Sequence, residues 1–149
     1  MMNGAFMLSA MEQAKLALDA GEVPVGAVVV SGGEVIALAH NERESQCDPT
    51  AHAEILALRR AAKALGRRRL SGCRLYVTLE PCPMCAGAIV MSGIDAVYYG
   101  ASDEKAGCAG SLYAIPEDNA FGKVIPCTGG LMETACKALL DEFFEAKRG

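Results

Sequence analysis

Two short motifs, thirty positions apart, contain the side chains of this sequence that are best suited to chemistry. The first is His52-Ala53-Glu54, and the second is Cys82-Pro83-Met84-Cys85. One histidine and two thiolates form a ligand set for tetrahedral zinc, and three protein ligands leave the fourth position open for water, as in catalytic sites. The pattern therefore predicts one catalytic Zn²⁺ per chain, held by His52, Cys82 and Cys85.

Glu54 is the candidate for the proton transfers that such a water requires. A zinc ion lowers the pKa of its water toward about 7, and a nearby general base must then take the proton and pass it to a leaving group. On an ideal helix, however, residues two apart point in different directions. We therefore expect Glu54 to reach the water only if His52 and Glu54 lie in an irregular first turn.

Each half of the pattern also has a simpler interpretation. A Cys-x-x-Cys pair between a strand and a helix is typical of thiol oxidoreductases, and Cys47, Cys73 or Cys108 could close a structural zinc module. His52 alone could be a hydrogen-bonded residue at a helix start, and Glu54 an acid favoured by the helix dipole. The joint pattern is much more specific, because His-x-Glu followed by Pro-Cys-x-x-Cys is a known signature of zinc-dependent nucleobase deaminases.

The composition indicates a folded chain in a reducing compartment. The 149 residues are 52% hydrophobic and 21% charged, which is enough for a single domain spanning 1–149. The odd number of cysteines, seven, and the lack of a basic leader predict a cytoplasmic location, and no apolar run is long enough for a membrane span. The net charge of −4 argues against general coating of nucleic acid but allows a local basic patch.

Periodicity and turn signals predict alternating helices and strands. We predict helices near 5–20, 50–65, 81–92 and 131–147, and strands near 23–30, 35–39, 74–79, 95–101 and 124–127. Gly66 and Gly93 are suited to end the second and third helices, and Pro81 is expected in the first turn of the third. This order predicts an α/β fold in which helices cover both faces of a mixed sheet.

Segments along nearly the whole chain resemble a known family. The residues that carry the resemblance lie in 23–28, 48–55, 75–82, 84–88 and 100–111. They resemble the zinc-dependent cytidine/deoxycytidylate deaminase superfamily and, within it, the bacterial tRNA-specific adenosine deaminases. The resemblance implies a three-layer α/β/α cytidine-deaminase-like fold with a five-stranded mixed sheet, a homodimer, and a tRNA anticodon loop as partner. It also implies hydrolytic conversion of adenosine to inosine at the wobble position.

The resemblance further implies a set of substrate-binding residues. They are Asn41, Ala53, Val23, Leu79, Pro81, Asp103, Lys105 and Phe144. Asn41 and the backbone near Ala53 would bind the flipped base, and its pocket would be lined by Val23, Leu79 and Pro81. Asp103 and Lys105 would touch the neighbouring nucleotides. Phe144 would pack near the anticodon loop. Simpler roles stay open. Asn41 could be a turn residue, Asp103 and Lys105 could be solvated loop charges, and the apolar residues of the set could pack in the core.

Two charge features favour different substrates. Seven of the fourteen basic residues fall in the acid-free segment 59–74, which predicts either a phosphate-binding patch or a solvated helix face. The loop 115–120, in contrast, carries two acids where a tRNA-binding surface would favour bases. The sequence therefore keeps open a zinc deaminase of a free nucleobase or nucleoside as the alternative to a tRNA enzyme.

Overall fold

The structure, a computed structural model, describes residues 3–148. Its regular elements in this range are α1 (Gly4–Asp19), β1 (Gly26–Ser31), β2 (Glu34–His40), α2 (Ala53–Leu65), β3 (Cys73–Leu79), α3 (Pro83–Ser92), β4 (Ala96–Ala101), β5 (Cys127–Thr128) and α4 (Glu133–Arg148). Two single-turn 3₁₀ helices lie at Ile115–Glu117 and Asn119–Phe121. Within residues 3–148, no helix combines the length and the apolar character needed to cross a membrane.

The strands form one mixed sheet in the order β2-β1-β3-β4-β5. β1 is antiparallel to both β2 and β3, whereas β3, β4 and β5 run parallel. β1 and β2 are joined at Gly32 and Gly33, whose φ angles of +59° and +80° are accessible to glycine without steric cost. The predicted hairpin and the predicted five-stranded mixed sheet are both confirmed.

Helices cover both faces of the sheet. α1 packs over β1, β2 and β3 and contacts α4, while α2 packs over β1 and β2 from the other side and contacts α3. Burial of five successive residues of β1, Gly26 to Val30, is typical of a strand that is covered on both faces. Gly26 allows the close approach of α1, because an added Cβ would lie 1.9 Å from the carbonyl oxygen of Ala10. The three-layer α/β/α fold is therefore as predicted.

The predicted starts of α2 and α3 are wrong by three and two residues, and α4 begins at Glu133 instead of Leu131. α2 begins at Ala53 instead of Thr50, and α3 begins at Pro83, so that Pro81 precedes the helix. The fixed φ of proline suits the first helical turn at either position, and the sequence alone does not choose between them. Both helices end where expected, at glycines with left-handed backbone.

Two strand starts differ from the prediction by three residues. β1 begins at Gly26 because Val23 and Val25 form a tight turn, in which the Val25 N–H donates to the Val23 carbonyl at 2.9 Å. The fifth strand exists but covers only Cys127 and Thr128, which pair with β4 at the edge of the sheet.

Candidate active site

The segments that carry the predicted site residues meet at one end of the sheet. β3 and β4 are parallel, so their carboxyl ends lie at the same edge, and antiparallel pairing brings the start of β1 and the end of β2 to that edge as well. Cys82 follows β3, Asp103 follows β4, Asn41 follows β2 and Val23 precedes β1. Binding sites of α/β folds commonly form just beyond the carboxyl ends of parallel strands.

His52 and Cys82 occupy equivalent places as the N-cap residues of α2 and α3. Both have extended backbone, with φ of −74° and −75°, and neither side chain caps its own helix. An N-cap side chain usually accepts a hydrogen bond from the first turn of its own helix. Because the side chains of His52 and Cys82 do not, they are free to turn toward each other. His52 lies outside α2 while Glu54 lies in its first turn, which is the irregular geometry that the spacing of this pair required.

His52, Cys82 and Cys85 bring three potential metal ligands together in a compact triad. His52 Nδ1 lies 3.6 Å from Cys82 Sγ and 3.5 Å from Cys85 Sγ. A zinc ion with Zn–S of about 2.3 Å and Zn–N of about 2.0 Å at tetrahedral angles separates its nitrogen and sulfur ligands by about 3.5 Å. The triad therefore fits zinc, and it is the one such group of His, Cys, Asp or Glu side chains among residues 3–148.

Hydrogen bonds within the triad favour one thiolate. The hydrogen bond from Cys85, together with one from His52, lowers the pKa of Cys82 to about 4. The pKa of Cys85 is raised by the same hydrogen bond to Cys82 and by burial. The hydrogen bond to Cys82 also raises the pKa of His52 above its ordinary value. Cys82 is thus a thiolate near neutral pH, at a helix N-terminus that favours negative charge.

Glu54 is buried beside the triad, with 4% of its surface exposed. Burial raises the pKa of its carboxyl group to about 7, although attraction to His52 and a hydrogen bond with Cys85 act in the opposite direction. The carboxyl group lines the same cavity as His52 and Cys82. Glu54 is therefore placed where a proton could be taken from, or returned to, a molecule bound in that cavity.

The cavity next to the triad has a volume of about 330 Å³. The predicted site residues on its wall are Val23, Asn41, His52, Ala53, Glu54, Leu79, Cys82, Asp103 and Phe144. The Asn41 side chain is held in place, since its amide donates to the Val23 carbonyl at 3.2 Å and its oxygen accepts from the Arg43 N–H at 3.1 Å. A space of this size is sufficient for a small ring system.

Three of the predicted site residues lie off this wall. Cys85 is buried and completes the triad. Lys105 is exposed and lines an adjoining groove between the loop 101–106 and α4. Pro81 is buried, and its carbonyl accepts a hydrogen bond from the Cys108 N–H at 2.8 Å.

Three charged residues at the site were not predicted from the sequence. Arg43 lines the cavity, and its Nε atom is buried with no hydrogen-bond partner within residues 3–148. Glu22 and Glu80 are 1% and 2% exposed, and each accepts backbone hydrogen bonds from a loop beside the cavity. The sequence did contain a signal for Glu22 and Glu80. Each borders an apolar strand segment, where burial of a carboxylate without hydrogen-bond partners would be costly, and this position predicts such partners.

The basic residues of segment 59–74 are all exposed. Some of their charge is satisfied locally, since Arg60 forms an ion pair with Glu42 at 3.2 Å and Arg67 donates to the backbone carbonyl of Ser71 at 3.0 Å. The segment runs from the second half of α2 to the start of β3. Its two interpretations, a phosphate-binding patch and a solvated helix face, both fit this exposure.

Comparison with known proteins assigns this fold and site to a class of deaminases. The chain matches MafB19-like deaminase over residues 1–147 and belongs to that family. Curated relatives include the tRNA-specific adenosine deaminase of Bacillus subtilis, 48% identical over 96% of this chain and 89% of the relative. Another is the tRNA-specific adenosine deaminase of Aquifex aeolicus, 44% identical over 96% and 94%. Within its family, the chain falls among the tRNA-specific adenosine deaminases.

Solved structures support the same placement. A structure from a study of A-to-I editing by tRNA:A34 deaminases at the wobble position of transfer RNA superposes with a TM-score of 0.89. It is 42% identical and covers 93% of this chain and all of that one. A guanine deaminase from Nitrosomonas europaea superposes with a TM-score of 0.80 at 29% identity, over 95% of this chain and 84% of that one. The predicted fold class is confirmed by these neighbours.

Proposed function

We propose that this protein hydrolyses adenosine to inosine at the wobble position of a tRNA anticodon, within a single deaminase domain spanning 1–149. The observation that carries the proposal is the triad of His52, Cys82 and Cys85 with Glu54 at one cavity, in a chain 48% identical to a tRNA-specific adenosine deaminase. The structural likeness to a guanine deaminase makes a free-base deaminase the second candidate.

In this proposal, His52, Cys82 and Cys85 hold one zinc ion. When bound, zinc lowers the pKa of a water toward about 7 and supplies a nucleophile near neutral pH. Glu54 accepts the proton of the attacking water and delivers a proton to the departing amine nitrogen at C6 of adenine. Water and adenosine are thereby converted to inosine and ammonia.

The cavity wall gives each remaining residue a proposed role. Asn41 and the backbone at Ala53 bind the edge of the flipped base, and Val23 and Leu79 contact its faces, beside the buried Pro81. Phe144, 48% exposed, offers a ring on which a flanking base can stack. Asp103 accepts a hydrogen bond from a ribose 2′-hydroxyl, and Lys105 contacts a phosphate from the adjoining groove.

We also propose that the protein acts in the cytoplasm as a homodimer, as the resemblance implies. Large apolar side chains lie exposed on α3 and on the loop after residue 107, namely Met91, Leu112 and Tyr113. A partner subunit that covered these side chains would remove them from water.

A comparison of substrate classes tests the proposed function. We expect the zinc-loaded protein to deaminate an anticodon stem-loop with adenosine at the wobble position, and to act poorly on free adenosine, guanine and cytosine. Free bases and nucleosides lack the flanking nucleotides that would contact Asp103, Lys105 and Phe144, so they forgo that binding energy. Inosine formation and ammonia release are the measurements. Fast turnover of a free base, with none of the stem-loop, would instead establish the second candidate.

Lys105→Ala tests the phosphate contact. Each phosphate neutralised on a single strand adds about 0.7 to the slope of log affinity against log salt, so this variant should flatten the slope by about that amount and weaken binding. Zinc content should stay unchanged, because Lys105 is exposed and outside the triad. Binding of the stem-loop across a salt series gives the slope. Lys15→Ala, an exposed lysine on α1, is the matched control, and an equal slope in both variants would remove Lys105 from the phosphate contacts.

A further inference from the structure

The Glu80 carboxylate is buried at the end of β3, yet it forms no ion pair within residues 3–148. It accepts four hydrogen bonds instead. Oε1 accepts from the Asp103 N–H at 3.0 Å and from the Ser111 hydroxyl, and Oε2 accepts from the N–H groups of Ala109 and Ser111 at 3.1 and 2.8 Å. All four donors belong to the loop 103–111, so a single side chain holds both ends of this loop.

Gly107 brings the middle of the same loop onto the carboxylate. A Cβ atom at this position would lie 2.3 Å from Glu80 Cδ and 2.5 Å from the Asp103 carbonyl oxygen. Such distances are far below van der Waals contact, so only glycine lets the loop close around the carboxylate. The loop is therefore built on Glu80.

The near end of this loop faces the substrate side of the molecule. Asp103 Oδ1 accepts hydrogen bonds from the N–H groups of Lys105 and Ala106, both at 3.1 Å. Asp103 and Ala106 line the cavity, and Lys105 lines the adjoining groove. Because the Asp103 N–H is itself bonded to Glu80, the placement of this turn depends on the buried carboxylate.

We propose that Glu80 is a positioning residue, which holds Asp103 against the ribose beside the reacting base and thereby supports the preference for RNA over DNA. The inference rests on the proposed function. Glu80 acts through Asp103 in this proposal, and it stands two residues before Cys82 on the same segment, so one stretch of chain sets both the metal triad and the nucleotide-facing loop.

Glu80→Gln is the most selective test, because glutamine has the same shape with one acceptor fewer. Its oxygen should stay toward the N–H groups of Ala109 and Ser111, which need an acceptor. Its NH₂ group then meets the Ser111 hydroxyl, which can accept, and the Asp103 N–H, which cannot. The substitution therefore removes the bond to Asp103 and leaves the far end of the loop held.

The readout is the ratio of KM for the anticodon stem-loop to KM for its deoxy counterpart. We expect Glu80→Gln to raise KM for the RNA by about tenfold, equivalent to about 1.4 kcal/mol, and to raise KM for the DNA much less. The preference for RNA should fall toward that of Asp103→Ala. In the Asp103→Ala background, Glu80→Gln should add little, because two residues acting through one contact are not additive.

Ser111→Ala is the matched control, since it removes one hydrogen bond but keeps the three backbone N–H bonds to the carboxylate. We expect its RNA preference to equal that of the wild type. Gly107→Ala is the second variant. Its added methyl group would push the loop away from the carboxylate and should reduce the RNA preference, so it decides the question if Glu80→Gln fails to fold.

The two proposals fail in different ways. If the wild type does not deaminate the stem-loop, the proposed function is wrong. If the wild type prefers RNA, but Glu80→Gln and Gly107→Ala keep that preference, the positioning role is wrong and the function stands. Equal losses on RNA and DNA, together with lower thermal stability, would also overturn it, because Glu80 would then serve folding only.

Discussion

Replacing Glu54 with alanine is expected to lower kcat on the anticodon stem-loop by about 10²–10⁴-fold, the usual contribution of a general acid–base group. Zinc content and fold should be retained, because Glu54 is outside the triad and alanine is a strong helix former in the first turn of α2. The measurements are kcat, metal content and thermal unfolding on the same preparation.

Glu54→Gln is the control that separates proton transfer from shape. The amide fills the same buried space but can neither accept the proton of water nor return one to the amine, so its loss in kcat should be about as large as that of alanine. Near-normal turnover in either variant would remove Glu54 from the mechanism. Loss of zinc together with activity would give Glu54 a role in holding the metal.

Removal of any member of the triad is expected to abolish zinc binding and activity together. Each single variant retains only two of the three candidate ligand atoms of the triad. The variants are His52→Ala, Cys82→Ala and Cys85→Ala. Thermal stability should fall as well, because the free energy of metal binding contributes to folding. Metal analysis, turnover and thermal unfolding of each variant give the three readouts.

The remaining cysteines offer matched controls for this experiment. Cys47 is exposed and Cys127 half-buried, and neither belongs to the triad. Cys47→Ala and Cys127→Ala should keep one zinc ion per chain and wild-type turnover. A metal spectrum with three or four sulfur ligands would contradict the catalytic assignment and favour a structural zinc module. A protein that binds no zinc and releases no ammonia would favour a thiol oxidoreductase.

The triad is predictable from the sequence because its residues lie at the N-termini of two successive helices, α2 and α3. His52 and Cys82 each precede a helix at the same end of the sheet, so motif spacing and element order suffice to bring them together. The orientation of Glu54 was not predictable in this way. It depends on where α2 starts, and a shift of the start from Thr50 to Ala53 moves His52 out of the helix.

The contacts that shape the rest of the site were beyond sequence reasoning because they are non-local. Glu22 bonds to the backbone of Ser45, and Glu80 bonds to that of Asp103 and Ser111. Any residue can supply a backbone N–H group, so no residue type in either loop marks it as the partner of a buried carboxylate. The bounds of β5 were predicted wrongly for a similar reason. Only its non-local pairing with β4 defines Cys127 and Thr128 as a strand.

The hairpin turn between β1 and β2 has a practical value that follows from the topology. Gly32 and Gly33 are exposed at the opposite end of the sheet from the triad of His52, Cys82 and Cys85, separated from it by the length of β1, about 20 Å at about 3.3 Å per residue. Exposed loop tips with small residues tolerate insertions well. A fluorescent label, an affinity handle or an entire fused protein placed at this turn would leave the approach of a large nucleic acid to the cavity unobstructed.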